Sequence, residues 1–126
     1  MKEKEITFGK FIESRRKTLG KTLRGFAAEL EIAPAYMSDI EKGRRYPPEK
    51  KLDDIARLLA LDEQEKNHLL DLAALERENT VSSDLPEFIM EKDLVRVALR
   101  RARDGKLSDE DWKDVIELID KKIDEK

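Results

Sequence analysis

With 126 residues, no cysteine and a single histidine, the chain has room for one compact domain plus an appendage. It excludes a structural disulfide and offers too few ligands for a conventional zinc site. Its net charge of −3 divides unevenly: residues 1–60 hold fourteen Lys/Arg against ten Asp/Glu (+4), and residues 61–126 hold twelve against nineteen (−7). Screening acts over about 8 Å, so a basic face in the first half is not cancelled by the acidic second half.

The apolar periodicity is helical throughout, and no convincing strand appears. Phe8, Phe11 and Ile12, followed by Leu19, mark a first amphipathic helix over residues 8–17 that breaks at Gly20. Thr22 is placed to N-cap a second helix carrying Phe26, Ala27 and Leu30, where small Ala27 lets another helix cross closely. Ala33 then sits at an N-cap position and Pro34 at the first helical position, where its missing N–H costs nothing. Tyr36, Met37 and Ile40 supply the apolar contacts of this third helix; Gly43 closes it and Pro47-Pro48 forbids its continuation.

Leu52, Ile55, Leu58 and Leu59 mark a fourth helix within residues 49–61. Asp62 with Glu65 has the form of a capping box, opening a fifth helix striped by Leu69, Leu70, Leu72, Ala73 and Leu75. Residues 80–86 are polar and helix-poor, so the linker is placed there, between a domain at 1–79 and an extension at 87–126. In the extension, Phe88, Ile89 and Met90 form an apolar turn. Asp93 is expected to cap a helix bearing Val95, Ala98, Leu99 and Ala102, ended near Gly105. Ser108 caps the last helix, whose stripe is Trp112, Val115, Ile116, Ile119 and Ile123. About 40 residues of short helices lack the surface for a core of their own, so this stripe is expected to bury against the first domain, a second copy or another protein.

Residues 22–48 read as two short helices joined by a tight turn, with cations just past the second. Leu23-Arg24-x-Phe26-Ala27, Ile32-Ala33-Pro34-x-Tyr36-Met37-Ser38 and Ile40-Glu41-Lys42-Gly43-Arg44 together resemble the helix-turn-helix of the phage repressor and Cro family, the XRE regulators. The likeness runs over about residues 7–61. It implies an all-α, five-helix repressor-like DNA-binding domain with a short helical C-terminal extension, and a third helix laid in the DNA major groove.

The resemblance also assigns roles. Pro34, Ala35, Tyr36 and Asp39 correspond to base-reading positions. Pro34 and Ala35 offer only apolar contact, as to a thymine methyl, while Asp39 either accepts from a cytosine amino group or pairs with Arg44 or Arg45. Few direct contacts imply reading that leans on DNA shape. Lys42, Arg44 and Arg45 are expected on phosphates, with Lys21 and Arg24 at the start of the second helix, where the family's Gln is replaced by Leu23. Of Arg15, Arg16 and Lys17, one is expected to reach a phosphate and another to pair with Glu41. The turn position usually held by Gly is Glu31; a left-handed backbone there costs a non-Gly residue roughly 1–2 kcal/mol.

No Gly-rich phosphate loop, nucleophile–base pair or His-Glu-x-x-His occurs, so neither enzyme activity nor a cofactor or metal is expected. His68 is expected to pack or to face solvent. With no apolar run long enough to span a bilayer and no signal peptide, a soluble, cytoplasmic protein is expected. The first functional reading is a sequence-specific transcriptional regulator, a dimeric repressor or autoregulator on a pseudo-palindromic operator. The rival reading is an antitoxin-like or protease-partner interaction protein. Val95-Arg96-Val97-Ala98-Leu99-Arg100-x-Ala102 with Leu107-Ser108-x-x-x-Trp112 resembles the tails of family regulators encoded beside zinc metallopeptidases. In either reading Trp112, Val115, Ile116 and Ile119 form the oligomer or partner interface.

Overall fold

In a computed structural model that describes residues 6–77 and 80–126, the chain forms helices and no strand among those residues. The order is α1 (Phe8–Thr18), α2 (Leu23–Glu29), α3 (Pro34–Glu41), a 3-10 turn (Glu49–Lys51), α4 (Leu52–Leu58) and α5 (Glu63–Leu75). Then come α6 (Pro86–Glu91), α7 (Asp93–Asp104) and α8 (Asp109–Asp124). The chain divides into two compact units, residues 1–86 and 87–126. The expected boundary residue, 79, lies outside the described residues.

The helices start where side chains satisfy their first N–H groups. The Thr22 hydroxyl accepts from Gly25 N–H at 2.9 Å, and Thr7, not anticipated, accepts from Lys10 N–H at 3.2 Å. Asp62 and Glu65 exchange both bonds of a capping box, as do Ser108 and Asp111. At Asp93 the expectation fails: extended Lys92 occupies the N-cap position without a side-chain bond, and Asp93 is the first helical residue. There it pairs with Arg96, whose guanidinium also donates to the carbonyls of Ile89 and Met90 at the end of α6.

Five helices close in one way. After α1, α2, α3, α4 and α7, a residue with positive φ donates back to the third carbonyl before it, and the next residue donates to the fifth before itself. This is the Schellman closure, which satisfies carbonyls orphaned at a helix end. Gly20 and Gly43 fill the left-handed position in two cases; Glu31 (φ 58°), Ala60 (φ 54°) and Lys106 (φ 52°) fill it in the others. The three non-glycine closures share a pattern. The residue after each is Ile32, Leu61 or Leu107, and its N–H bonds the carbonyl of Ala27, Ala56 or Ala102. A hydrophobic contact between these two positions commonly accompanies this motif.

In the first unit, Phe8 and Ile12 (α1), Phe26 (α2), Met37 (α3), Ile55 (α4) and Leu69 (α5) are fully enclosed in a single core. Each such side chain contributes about 1.5–3 kcal/mol by leaving water. Leu19 and Leu75 depart from their expected stripes: both are exposed, the first at the C-cap of α1 and the second at the last position of α5. His68 meets the Phe11 ring edge-on, with centroids 5.4 Å apart. The second unit is different in kind. Only Ala102 is buried there, while Leu94, Trp112, Ile116, Leu118, Ile119 and Ile123 are exposed and Val115 is half-buried.

Glu31→Gly is expected to raise stability by about 0.5–1 kcal/mol, because Gly carries no left-handed penalty. A thermal melt would show a rise of about 3–6 °C. A fall on this substitution would mean that the Glu31 side chain contributes something its backbone geometry does not reveal.

Candidate nucleic-acid interface

The third helix is held from behind by α1. Gly9 faces the end of α3 so closely that a Cβ there would lie 2.3 Å from the Glu41 carbonyl oxygen and 2.6 Å from that of Ile40. Only glycine permits this approach. Two turns further along α1 the contact becomes electrostatic at Arg16, whose Nε donates to Glu41 Oε2 at 2.8 Å and whose Nη2 donates to Oε1 at 3.0 Å. Arg16 Nη1 donates to the Lys21 carbonyl at 3.0 Å, so all three guanidinium nitrogens are engaged. Both residues are buried. The hydrogen bonds that Arg16 donates to Glu41 raise the Arg16 pKa above its ordinary value; burial opposes the shift without reversing it.

This resolves the cations of α1. Arg16 is the internal partner of Glu41. Arg15 donates to the carbonyls of Leu59 and Ala60 and to Glu65 Oε2 at 2.9 Å, tying the end of α4 to the start of α5. Lys17 pairs with Glu13 on the surface and is the only one of the three that stays exposed.

With its rear face spent, α3 presents the other. Met37, Ile40 and Glu41 are buried; Pro34 and Ala35 are exposed; Tyr36, Ser38 and Asp39 are half-buried. No side chain caps the start of α3. Just beyond its end, Lys42, Arg44 and Arg45 are exposed. Asp39 lies 3.9 Å from Arg44 Nη1 and 3.8 Å from Arg45 Nε, distances too long for hydrogen bonds, so it positions the two cations without consuming their donors. Arg24 is exposed in the first turn of α2, whereas Lys21 donates to Glu29 at 2.9 Å and is no longer an open cation.

Sequence reasoning missed several residues at this face. Gly9 was hidden inside an apolar stripe where nothing local demands glycine. Lys51 donates its Nζ to the Leu30 carbonyl at 2.8 Å, fastening the loop after α3 to the end of α2. Arg45 lies over the Tyr36 ring at 5.0 Å, and Arg77 lies over the Tyr46 ring at 4.1 Å. Lys51, Tyr36, Arg45, Tyr46 and Arg77 line one open groove along the segment that follows α3.

A family model described as a helix-turn-helix domain matches residues 7–69. The chain belongs to the helix-turn-helix domain family. This is a family of XRE-like DNA-binding domains. The matched span takes in α1 to α4 and the first part of α5, so the helix-turn-helix domain includes both contacts that hold α3. No curated protein and no solved structure matches the chain. Among the described residues, no helix is long and apolar enough to cross a membrane, and no group of three metal-ligating side chains converges.

Removing one member of the buried pair strands the other. Glu41→Ala is expected to cost about 3–5 kcal/mol in urea unfolding, and the paired replacement Arg16→Met with Glu41→Leu to cost clearly less. Equal losses in the single and double variants would show that packing, and not the stranded charge, sets the cost. Gly9→Ala is expected to lower stability by about 1–3 kcal/mol through backbone overlap.

Proposed function

We propose that this chain is a sequence-specific transcriptional regulator that binds double-stranded DNA through α3, acting as a dimeric repressor or autoregulator. The observation that carries the reading is the division of α3 into two faces. Its rear is locked by Gly9 and by the Arg16–Glu41 pair, and its front leaves Pro34 and Ala35 open beside Lys42, Arg44 and Arg45. A rigid helix flanked by cations suits a major groove, with phosphates holding register and base edges supplying sequence. Pro34 and Ala35 meet base edges by apolar contact, Tyr36 brings its hydroxyl, and Asp39 steadies Arg44 and Arg45. So small a set of hydrogen-bonding readers makes DNA shape a large part of the recognition.

The second unit supplies the symmetry. Trp112, Val115, Ile116 and Ile119 lie along α8, where Ile116 and Ile119 are more than half exposed at 56% and 51%. In this reading they pair with a second copy. α7 carries four Arg against two Asp and α8 seven acids against three Lys, so α7 of one copy complements α8 of the other. The same open stripe favours a second reading, in which the extension holds a toxin or a metallopeptidase and DNA binding serves autoregulation.

Two measurements separate the parts. Arg44→Ala is expected to weaken specific and random duplexes by similar factors and to reduce the slope of log K against log salt by about 0.9. Ala35→Gln is expected to change the preferred base at one position per half-site by about 1–3 kcal/mol, with the slope kept. Altered base preference at Arg44 and only bulk affinity change at Ala35 would overturn this docking.

Sedimentation of the parent chain is expected to give a dimer, and Ile116→Asp a monomer with weaker binding to a palindromic duplex. A parent that sediments as a monomer and binds no duplex from its own upstream region would transfer the case to the partner-binding reading.

A further inference from the structure

We propose that the groove beyond α3 is a second track for the DNA sugar–phosphate backbone, with Arg77, presented by Tyr46, as its outer phosphate contact. The inference rests on the reading that α3 meets a duplex, and it assigns the segment past the end of α5 a part in that contact.

The groove, of about 1070 Å³, starts at α3 itself, since Tyr36 forms one wall, and runs along residues 43–51 to Arg77. Its cations are Arg44, Arg45, Lys50 and Arg77; Lys51 is spent on the Leu30 carbonyl, and Glu49 is the one acid in its lining. A groove of this charge, continuous with the helix that faces DNA, suits an extended polyanion. It is too open to enclose a small ligand.

The two guanidinium–ring stacks decide which groups do the holding. A guanidinium whose Cζ lies over a ring makes that contact without spending an N–H donor, and its planar fork of donors matches phosphate oxygens in pairs. Arg45 over Tyr36 marks the inner end of the track and Arg77 over Tyr46 the outer. Tyr46 is 57% exposed, so its ring is not part of the core and serves as a platform. The backbone N–H of Arg77 donates to the Ala74 carbonyl at 3.1 Å, so its main chain is tied to the last turn of α5. Stacking lowers the side-chain entropy lost when a phosphate binds.

The test uses the full chain and a fluorescent mixed-sequence duplex of about 30 bp, titrated from about 50 to 200 mM salt, since backbone contacts are independent of sequence. Arg77→Ala is expected to weaken binding about three- to tenfold at low salt and to reduce the salt slope by about 0.9. Arg77→Lys keeps the slope because it keeps the charge, and Lys10→Ala, on the exposed side of α1, changes neither quantity. In phosphate-ethylation interference, Arg77→Ala loses sensitivity at a phosphate that Arg44→Ala retains. If Arg77→Ala binds within twofold of the parent with an unchanged slope, the outer track is overturned and the α3 reading stands. A slope lost equally in Arg77→Ala and Arg77→Lys would overturn it too, by showing a structural effect. A parent that binds no duplex removes the α3 reading and this one together.

Discussion

The buried Arg16–Glu41 fork joins the last turn of α1 to the last residue of α3, and the presentation of the outer face of α3 depends on it. A helix of eight residues has no stability of its own in water and takes its orientation from what it is packed against. Here the packing is specified at three points on one side. Gly9 lets the backbones approach, Arg16 pairs with Glu41, and Met37 and Ile40 enter the common core. The ion pair satisfies both carboxylate oxygens and two guanidinium donors, and the Lys21 carbonyl takes a third, so both buried charges have partners. Hydrophobic residues could hold these helices together as firmly, but a bidentate fork also specifies their register.

Short helices need abrupt endings, and the same closure supplies five of them. A left-handed residue turns the chain within two positions while satisfying carbonyls that would otherwise face the core or water. Two of these positions are glycine. The other three carry a side chain in that conformation, and in each the next residue is apolar and its N–H bonds the carbonyl of an Ala. The domain therefore holds its helix-turn-helix angle with a strained but compensated turn at Glu31, where glycine would be the less costly residue.

Charge is arranged by commitment as much as by count. Three of the six cations of α1 and the start of α2 are absorbed internally: Arg15 by the α4–α5 junction, Arg16 by Glu41, Lys21 by Glu29. Those after α3 are held near Asp39 or stacked on rings, with their donors open. Internal commitment of the first group concentrates positive potential at the end of α3. Residues 61–126 carry a net charge of −7, opposite in sign to the +4 of residues 1–60.

The sequence by itself determined the helical class, most helix starts and the helix-turn-helix, because these are written locally. Periodicity of 3.6, a Thr or Asp before a helix and a Gly or Pro after it act over a few residues. Where a local signal misled, at Asp93, the helix began one residue early because extended Lys92 already supplied the N-cap conformation. The tertiary structure alone decided which of three adjacent cations meets Glu41, why position 9 is glycine and that Lys21 is neutralised. It also brought Tyr46 to Arg77, thirty-one residues away. Each of these joins residues on different elements, and no spacing within one helix encodes what another helix places against it.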